Sequence, residues 1–404
     1  MNIIWGILGI VTVFVIAFLF SSKRNAINPR TVLGGLAIQL TFAFIVLKWD
    51  FGRSMLQRLA LGVDEIINYT NEGIMFLFGG LFEGENVGFI FAFQVLPVVI
   101  FFSALISVLY YLRIMQLIIK ILGGALSKFL GTSKAESLSA AANIFVGQTE
   151  APLVVRPYLD KMTRSEIFAV MTGGLASVAG SVLIGYSLLG VPLEYLLAAS
   201  FMAAPAGLII AKIMLPETEV SETSDKLQME KDMDSANVID AAARGASTGL
   251  QLALNIGAML LAFIALIALI NGILGVIGGW FNFENLTLEM ILGLIFSPIA
   301  FAIGIPWNEA VQAGGYIGQK LILNEFVAYA SFAPAIDDLS PKSVAVISFA
   351  LCGFANVSSL GILLGGLGKL APSRRSDIAQ LGLKAILAGM LASLLSASIA
   401  GMLF

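Results

Sequence analysis

The sequence has no histidine and only one cysteine, Cys352. The first absence excludes HExxH metalloprotease motifs and every histidine-based triad, because both need an imidazole as ligand or base. The second excludes an intrachain disulfide and any thiolate metal cluster. A GxxxxGK[ST] loop is also missing, so ATP does not power this chain directly. Charge is scarce too: 12% of residues are charged, against about a quarter in a soluble domain.

Apolar residues fill the space. They make up 58% of the 404 positions, and the mean hydropathy is +0.93. Roughly 20 apolar residues cross a bilayer. Eight runs of that kind are predicted, at 3–21, 32–48, 88–112, 165–188, 193–215, 248–277, 343–368 and 378–403. The first is long, is followed by Lys23 and Arg24, and lacks a small-residue cleavage pattern, so it reads as a span rather than a signal peptide. Residues 53–69 place Leu56, Leu59, Val63, Ile66 and Ile67 on one helical face, with Arg53, Arg58, Asp64 and Glu65 off it. That pattern is too charged to cross and predicts a helix lying in the interface. A second amphipathic stretch covers 115–131. A net charge of -3 gives no reason to expect nucleic acid as a partner.

Two more apolar segments are interrupted by polar residues: 136–160, and 305–334, which follows an apolar stretch at 286–303. If both are re-entrant and the N-terminus is outside, the inner face receives 23–30, 113–164, 212–244 and 369–384. Of the 23 basic residues, only Lys48, Arg53, Arg58, Lys320 and Lys342 then fall elsewhere. The positive-inside bias therefore predicts an all-α polytopic protein with eight transmembrane helices, two re-entrant helical hairpins and both termini extracytoplasmic. The expected organisation is an N-terminal scaffold region, 1–87, and a first repeat, 88–215, containing the hairpin 136–160. A cytoplasmic loop, 216–247, polar and mostly acidic from Glu217 to Asp240, leads to a second repeat, 248–404, containing the hairpin 305–334. Each repeat crosses three times, so the second copy is inverted. Inverted repeats with broken helices are the plan of secondary transporters, which bind substrate near the midplane.

The first interrupted segment reads Asn143-Ile-Phe-Val-Gly-Gln-Thr-Glu-Ala-Pro152. Gly147 suits a left-handed helix cap and Pro152 the first turn of the next helix. Gln148, Thr149 and Glu150 then sit at a hairpin tip deep in the membrane. A carboxylate there costs about 2.5–3.5 kcal/mol or more unless it has a partner or faces water, so Glu150 is read as functional, with pairing to a nearby Lys or Arg as the alternative. The second segment, Gly318-Gln-Lys-Leu-Ile-Leu-Asn-Glu-Phe-Val-Ala-Tyr329, puts Glu325 at the matching place. Glu309 competes for the role, or is a surface acid nearer the water interface, and Lys320 could neutralise one of these acids. A glycine-broken span follows each hairpin: Gly173-Gly-Leu-Ala-Ser-Val-Ala-Gly180, and Cys352-Gly-Phe-Ala-Asn-Val-Ser-Ser-Leu-Gly-Ile362, with Asn356, Ser358 and Ser359 in mid-span. Glycines there serve helix packing, or an unwound backbone whose freed carbonyls hold a cation or ligand; the matched positions favour the second.

At these residues the chain resembles the concentrative nucleoside transporter family. The signature is Gly318-Gln-Lys320, three residues, then Asn324-Glu-Phe-Val-Ala-Tyr329. Gly147-Gln-Thr-Glu150 and Gly353-Phe-Ala-Asn-Val-Ser-Ser359 are similar to further family motifs, so the likeness covers about 88–403. The resemblance implies a bacterial inner-membrane symporter, built as a homotrimer in which a scaffold surrounds a moving transport domain. It places Gln148, Thr149 and Glu150 against the nucleobase, and Glu325, Asn356 and Ser359 on the ribose hydroxyls with Phe354 beside them. A carboxylate and an amide are suitable acceptors for two vicinal hydroxyl donors. The resemblance also implies a co-transported cation held by Asn143, Ser177 and the carbonyls of Val146 and Val178. Proton-coupled relatives tend to lose the Asn and Ser, so Na+ is expected over H+, and oxygen-only ligands suit a hard cation. No enzymatic cofactor is expected. A secondary transporter of another small polar metabolite is the alternative. A membrane-embedded enzyme lacks the acid cluster or histidine base it would need.

Overall fold

The computed structural model describes residues 2–82, 89–223, 235–280 and 286–404, and within them the chain is helical, without a strand. The first helices are α1 (Asn2–Leu19), α2 (Pro29–Leu47), α3 (Asp50–Phe78), the single turn α4 (Phe91–Gln94), α5 (Leu96–Tyr111) and α6 (Ile114–Leu130). The first hairpin pairs α7 (Lys134–Ala142) with a 3-10 stretch, Ala151–Lys161, and leads to α8 (Arg164–Ala176), α9 (Gly180–Leu188) and α10 (Leu193–Met214). Next come α11 (Val238–Trp280) and α12 (Leu288–Ala302). The second hairpin pairs α13 (Trp307–Ile322) with α14 (Glu325–Phe332), and α15 (Pro341–Leu351), α16 (Ser359–Leu370) and α17 (Arg375–Met402) follow.

Among the described residues, seven stretches are long and apolar enough to cross a bilayer, and they match seven of the eight expected runs. The remaining run, 343–368, is two short helices, α15 and α16, separated by non-helical residues 352–358. The stretch 165–188 is likewise divided, into α8 and α9, at Ser177–Ala179. Between α12 and α13 the chain turns through 116°.

Two boundaries differ from expectation. α3 was expected over 53–69 and runs over 29 residues. Its buried stripe is Gly52, Leu56, Ala60, Ile67, Thr70 and Ile74, and Leu59, expected on that face, is exposed. The stripe is narrower than the five aliphatic residues suggest, and Thr70 and Ile74 carry the helical period beyond Tyr69. The loop expected to run to 247 ends earlier, because α11 begins at Val238. Residues 224–234 of that loop lie outside the described residues, as do 83–88, the end of the expected N-terminal region and the start of the third span.

Burial divides the helices sharply. Within the apolar windows, 94% of residues are buried in Arg164–Leu188 and 89% in both Leu193–Met214 and Pro372–Met402, against 6% in Val238–Trp280. α8, α9, α10 and α17 are therefore an inner bundle sheathed by other helices. α11, at 43 residues, is about 65 Å long; it packs on α5 through Gly245 and Gly249 and otherwise presents an apolar face outward. The base of the first hairpin is pinned by reciprocal caps, Ser133 with Glu136 at the start of α7 and Thr163 with Glu166 at the start of α8. Such boxes satisfy otherwise free N–H groups at a helix start. Lys212 of α10 joins this base through a buried ion pair with Glu136 at 2.7 Å.

Candidate functional site

The two helix breaks meet. The α15 helix ends at Leu351, and Gly353 follows with φ +156°. A Cβ at Gly353 would stand 2.9 Å from the Ala176 carbonyl oxygen and 2.7 Å from Ser393 Oγ, so only glycine fits both the backbone and the space. The next residue, Phe354, donates its backbone N–H to the Ser177 carbonyl at 3.1 Å, across the break between α8 and α9. Val357 N–H likewise donates to the Leu321 carbonyl at the end of α13. The unwound residues 352–358 thus bridge the first broken span to the second hairpin.

Around this bridge polar residues of α9, α14 and the 352–358 break form one network. Asn324 caps α14, its side chain accepting from Val327 N–H at 2.9 Å, so Glu325 opens the helix at the end where an anion is favoured. One Glu325 oxygen accepts from Asn356 Nδ2 at 3.1 Å and the other from the Tyr186 hydroxyl at 3.1 Å. The Asn356 carbonyl oxygen accepts from Ser359 N–H at 2.9 Å and Ser358 Oγ at 2.7 Å, which turns its amide nitrogen toward the carboxylate. Ser359 Oγ donates to the Phe354 carbonyl at 2.6 Å. Glu325, Asn356 and Ser359 are buried, and Phe354 is half-buried beside them.

The residues at the first hairpin and the break after it are arranged differently. α7 ends at Ala142, and Asn143 donates its amide Nδ2 to the Ser139 carbonyl at 3.0 Å. Its Oδ1 is buried and receives no hydrogen bond among the described residues. Ser177 Oγ donates to the Gly173 carbonyl at 2.9 Å, leaving its lone pairs free, and its backbone is extended. Among the described residues, neither the Val146 nor the Val178 carbonyl accepts a hydrogen bond. Gln148 packs tightly on α8: a Cβ at Gly174 would come within 2.8 Å of Gln148 Cβ. Its Oε1 is also buried without a donor. Thr149 lies against Gly366 of α16, and half-buried Glu150 accepts from Gly147 N–H at 3.1 Å.

One expectation is corrected and two open readings are narrowed. Gly147 is not in the left-handed region; α7 unwinds instead through tight turns, with Phe145 and Val146 N–H groups both donating to the Ala142 carbonyl. Lys320 makes no direct ion pair among the described residues, and its charge acts on Glu325 only through space. Fully buried, it donates to the Ala350 carbonyl at 2.8 Å and Ser393 Oγ at 3.1 Å, a cation at the C-terminal end of α15 where free carbonyls favour it. Glu309 accepts from the Ser340 hydroxyl at 2.9 Å and its N–H at 3.3 Å, which ties the start of α13 to the cap of α15, away from the network. For Glu150, no Lys or Arg lies within ion-pair distance among the described residues.

Sequence reasoning missed Tyr186. Its only signal was a phenol inside an apolar span, between Gly185 and Ser187.

Comparison with known proteins places this arrangement. Three family profiles match consecutive parts of the chain: "Na+ dependent nucleoside transporter N-terminus" over 8–81, "Nucleoside recognition" over 92–192, and "Na+ dependent nucleoside transporter C-terminus" over 195–401. The transporter YutK of Bacillus subtilis (strain 168) is 62% identical over 404 residues, covering all of both chains. Nucleoside permease NupC of Helicobacter pylori is 52% identical, over 99% of this chain and 97% of that protein. Among solved structures, CNTnw in an inward-facing substrate-bound state superposes with a TM-score of 0.94 at 55% identity, over 100% of this chain and 98% of that one. An outward-facing CNTnw variant gives 0.95 at 54% identity, over the same shares of the two chains. This multi-pass membrane protein, a transporter and not an enzyme, belongs to the concentrative nucleoside transporter family.

Proposed function

We propose that the chain is a symporter that imports nucleosides across the bacterial inner membrane, driven by a cation gradient, with Na+ as the coupling ion. The observation that carries this reading is the hydrogen bond from Phe354 N–H to the Ser177 carbonyl. It joins a group of unpaired oxygens to a network built on a carboxylate, as coupled transport of a cation and a polyol requires.

The oxygens of Asn143, Ser177, Val146 and Val178 would hold the ion. All are neutral, and a buried amide oxygen with no donor is costly unless something positive completes it. Oxygen donors suit a hard monovalent ion, and no group in the set takes up a proton readily. Glu325, Asn356 and Ser359 would receive the ribose hydroxyls, with Phe354 against the sugar, and Gln148, Thr149 and Glu150 would face the base. The buried Gln148 Oε1 without a donor supports that placement. One co-transported charge gains about 2.3 kcal/mol per 100 mV, enough for roughly 40-fold accumulation at 1.4 kcal/mol per tenfold.

The order of elements supports the inverted repeat: two helices, hairpin, broken helix and long helix occur twice, from α5 to α10 and from α11 to α17. The outward apolar face of α11 supports a homotrimer within lipid. The charge distribution supports extracytoplasmic termini. Uptake of labelled uridine into proteoliposomes tests the coupling. Replacing external sodium by choline at constant pH and voltage should nearly abolish uptake. Undiminished uptake in choline, driven by a pH gradient, would assign the coupling to protons.

A further inference from the structure

Tyr186 belongs to the first repeat, yet its hydroxyl ends in the second. It lies on α9, the helix restarted by the break at Ser177–Ala179, and is fully buried. Its ring stacks on Tyr329 at 4.3 Å between centroids and meets Phe326 edge-on at 4.8 Å. Both partners belong to α14, the helix that Glu325 opens. Gly185 next to it leaves room for the Phe326 ring, to which a Cβ there would approach within 2.9 Å. A ring held on two sides cannot swing, so the direction of its O–H is set by packing. That direction ends on Glu325 Oε1 at 3.1 Å.

We propose that Tyr186 is a positioning residue for ribose recognition, holding the Glu325 carboxylate so that its remaining lone pairs point at the sugar hydroxyls. The role rests on the reading of Glu325 as the ribose acceptor. Each carboxylate oxygen then has one fixed donor, Tyr186 on Oε1 and Asn356 on Oε2, which together prevent rotation of the carboxylate plane. An ionised carboxylate offers about four acceptor sites, so two fixed donors leave room for two substrate hydroxyls. Asn356 is itself oriented by the backbone N–H of Ser359 and the hydroxyl of Ser358, whereas Tyr186 is held by the aromatic stack. The first repeat thereby sets the geometry of a substrate-binding group carried by the second. Specificity for the vicinal diol over a sugar lacking it is the property Tyr186 would control.

The test uses the full-length transporter in detergent or proteoliposomes, with uridine and 2′,3′-dideoxyuridine as probes at saturating sodium. Tyr186→Phe keeps the ring and removes the hydroxyl. It should weaken uridine binding roughly 3- to 10-fold, less than the full value of one hydrogen bond to a charged group because the sugar does not touch the Tyr186 hydroxyl, and dideoxyuridine binding less than about 2-fold. The half-saturating sodium concentration should not move. In a Glu325→Gln background the same substitution should change uridine binding less than about 2-fold, because Tyr186 acts through the carboxylate. Tyr186→Leu, which also deletes the stack, reports on folding separately through its thermal midpoint. Equal weakening of both ligands by Tyr186→Phe, or no weakening of uridine, overturns the positioning role while Glu325→Gln alone remains hydroxyl-selective. If Glu325→Gln weakens both ligands equally, the ribose assignment itself fails and takes this role with it.

Discussion

The two hairpins each precede a broken helix and differ in how they treat the polar atoms at their tips. At the first, the acceptors Asn143 Oδ1 and Gln148 Oε1 are buried without donors. At the second, Gln319 Oε1 on α13 is likewise without a donor among the described residues, but both carboxylate oxygens of Glu325 at the hairpin tip are met, one of them by Asn356 from the break that follows. Buried polar groups are ordinarily satisfied, and each exception needs an explanation. The difference suggests a division of labour. Neutral oxygens left open suit a cation that brings only positive charge. A carboxylate held rigidly suits a sugar that must be recognised by the direction of its hydroxyls.

The breaks that follow the hairpins differ in the same sense. Ser177 sits in ordinary extended backbone that any residue adopts, so its identity is free to be chosen for its hydroxyl. Gly353 is dictated by shape, through a φ of +156° and contact with the Ala176 carbonyl. One position is chemical and the other architectural.

Substitutions can break this comparison. The largest effect is expected for Asn143→Ala, which removes the open acceptor. Losing one oxygen from a charged guest corresponds to about 1.5–3 kcal/mol, so the half-saturating sodium concentration should rise on the order of 10- to 100-fold in uptake assays. An unchanged sodium dependence would remove Asn143 from the cation site. Gly353→Ala should lower stability by about 1–3 kcal/mol through backbone strain alone, more if the contact with Ala176 cannot relax, and appear as a lower thermal midpoint of purified protein. A wild-type midpoint would mean that the break is not shape-limited. Glu325→Gln exchanges a charged acceptor for a neutral one and should weaken uridine by about 1–2 kcal/mol, or roughly 5- to 30-fold, with a smaller loss for a 2′,3′-dideoxynucleoside. The smallest effect is expected for Glu309→Gln. That acid only anchors Ser340, so uptake should change less than about 2-fold, with a stability loss of about 1 kcal/mol. A large transport defect would make Glu309 part of the substrate path.

How much of this was legible in the sequence follows from what each residue does to hydropathy. The spans stood out because their apolar runs have few rivals in soluble proteins, and the hairpins because Gln148, Thr149, Glu150, Asn324 and Glu325 interrupt such runs. The motif around Lys320 and Glu325 identified the family before any contact was visible. Pattern reading failed where the signal is not polarity. The continuation of α3 past Tyr69 rests on Thr70 and Ile74, a polar and an aliphatic residue that keep the period where no run of aliphatics marks it. Lys320 looked like a counter-charge because the carbonyl of Ala350 that receives it is thirty positions away. Tyr186 could not be singled out, since a buried phenol reads as packing until its hydroxyl is seen to reach Glu325.

The division between the hairpins is tested most directly by a crossed titration on wild type, Asn143→Ala and Glu325→Gln in proteoliposomes. Sodium is titrated at saturating uridine, and uridine at saturating sodium. The account predicts that Asn143→Ala moves only the sodium curve and Glu325→Gln only the uridine curve, each leaving the other within about 2-fold, because each removes one contact to one guest. It is contradicted if Glu325→Gln shifts the sodium curve as far as the uridine curve, or if Asn143→Ala shifts uridine alone.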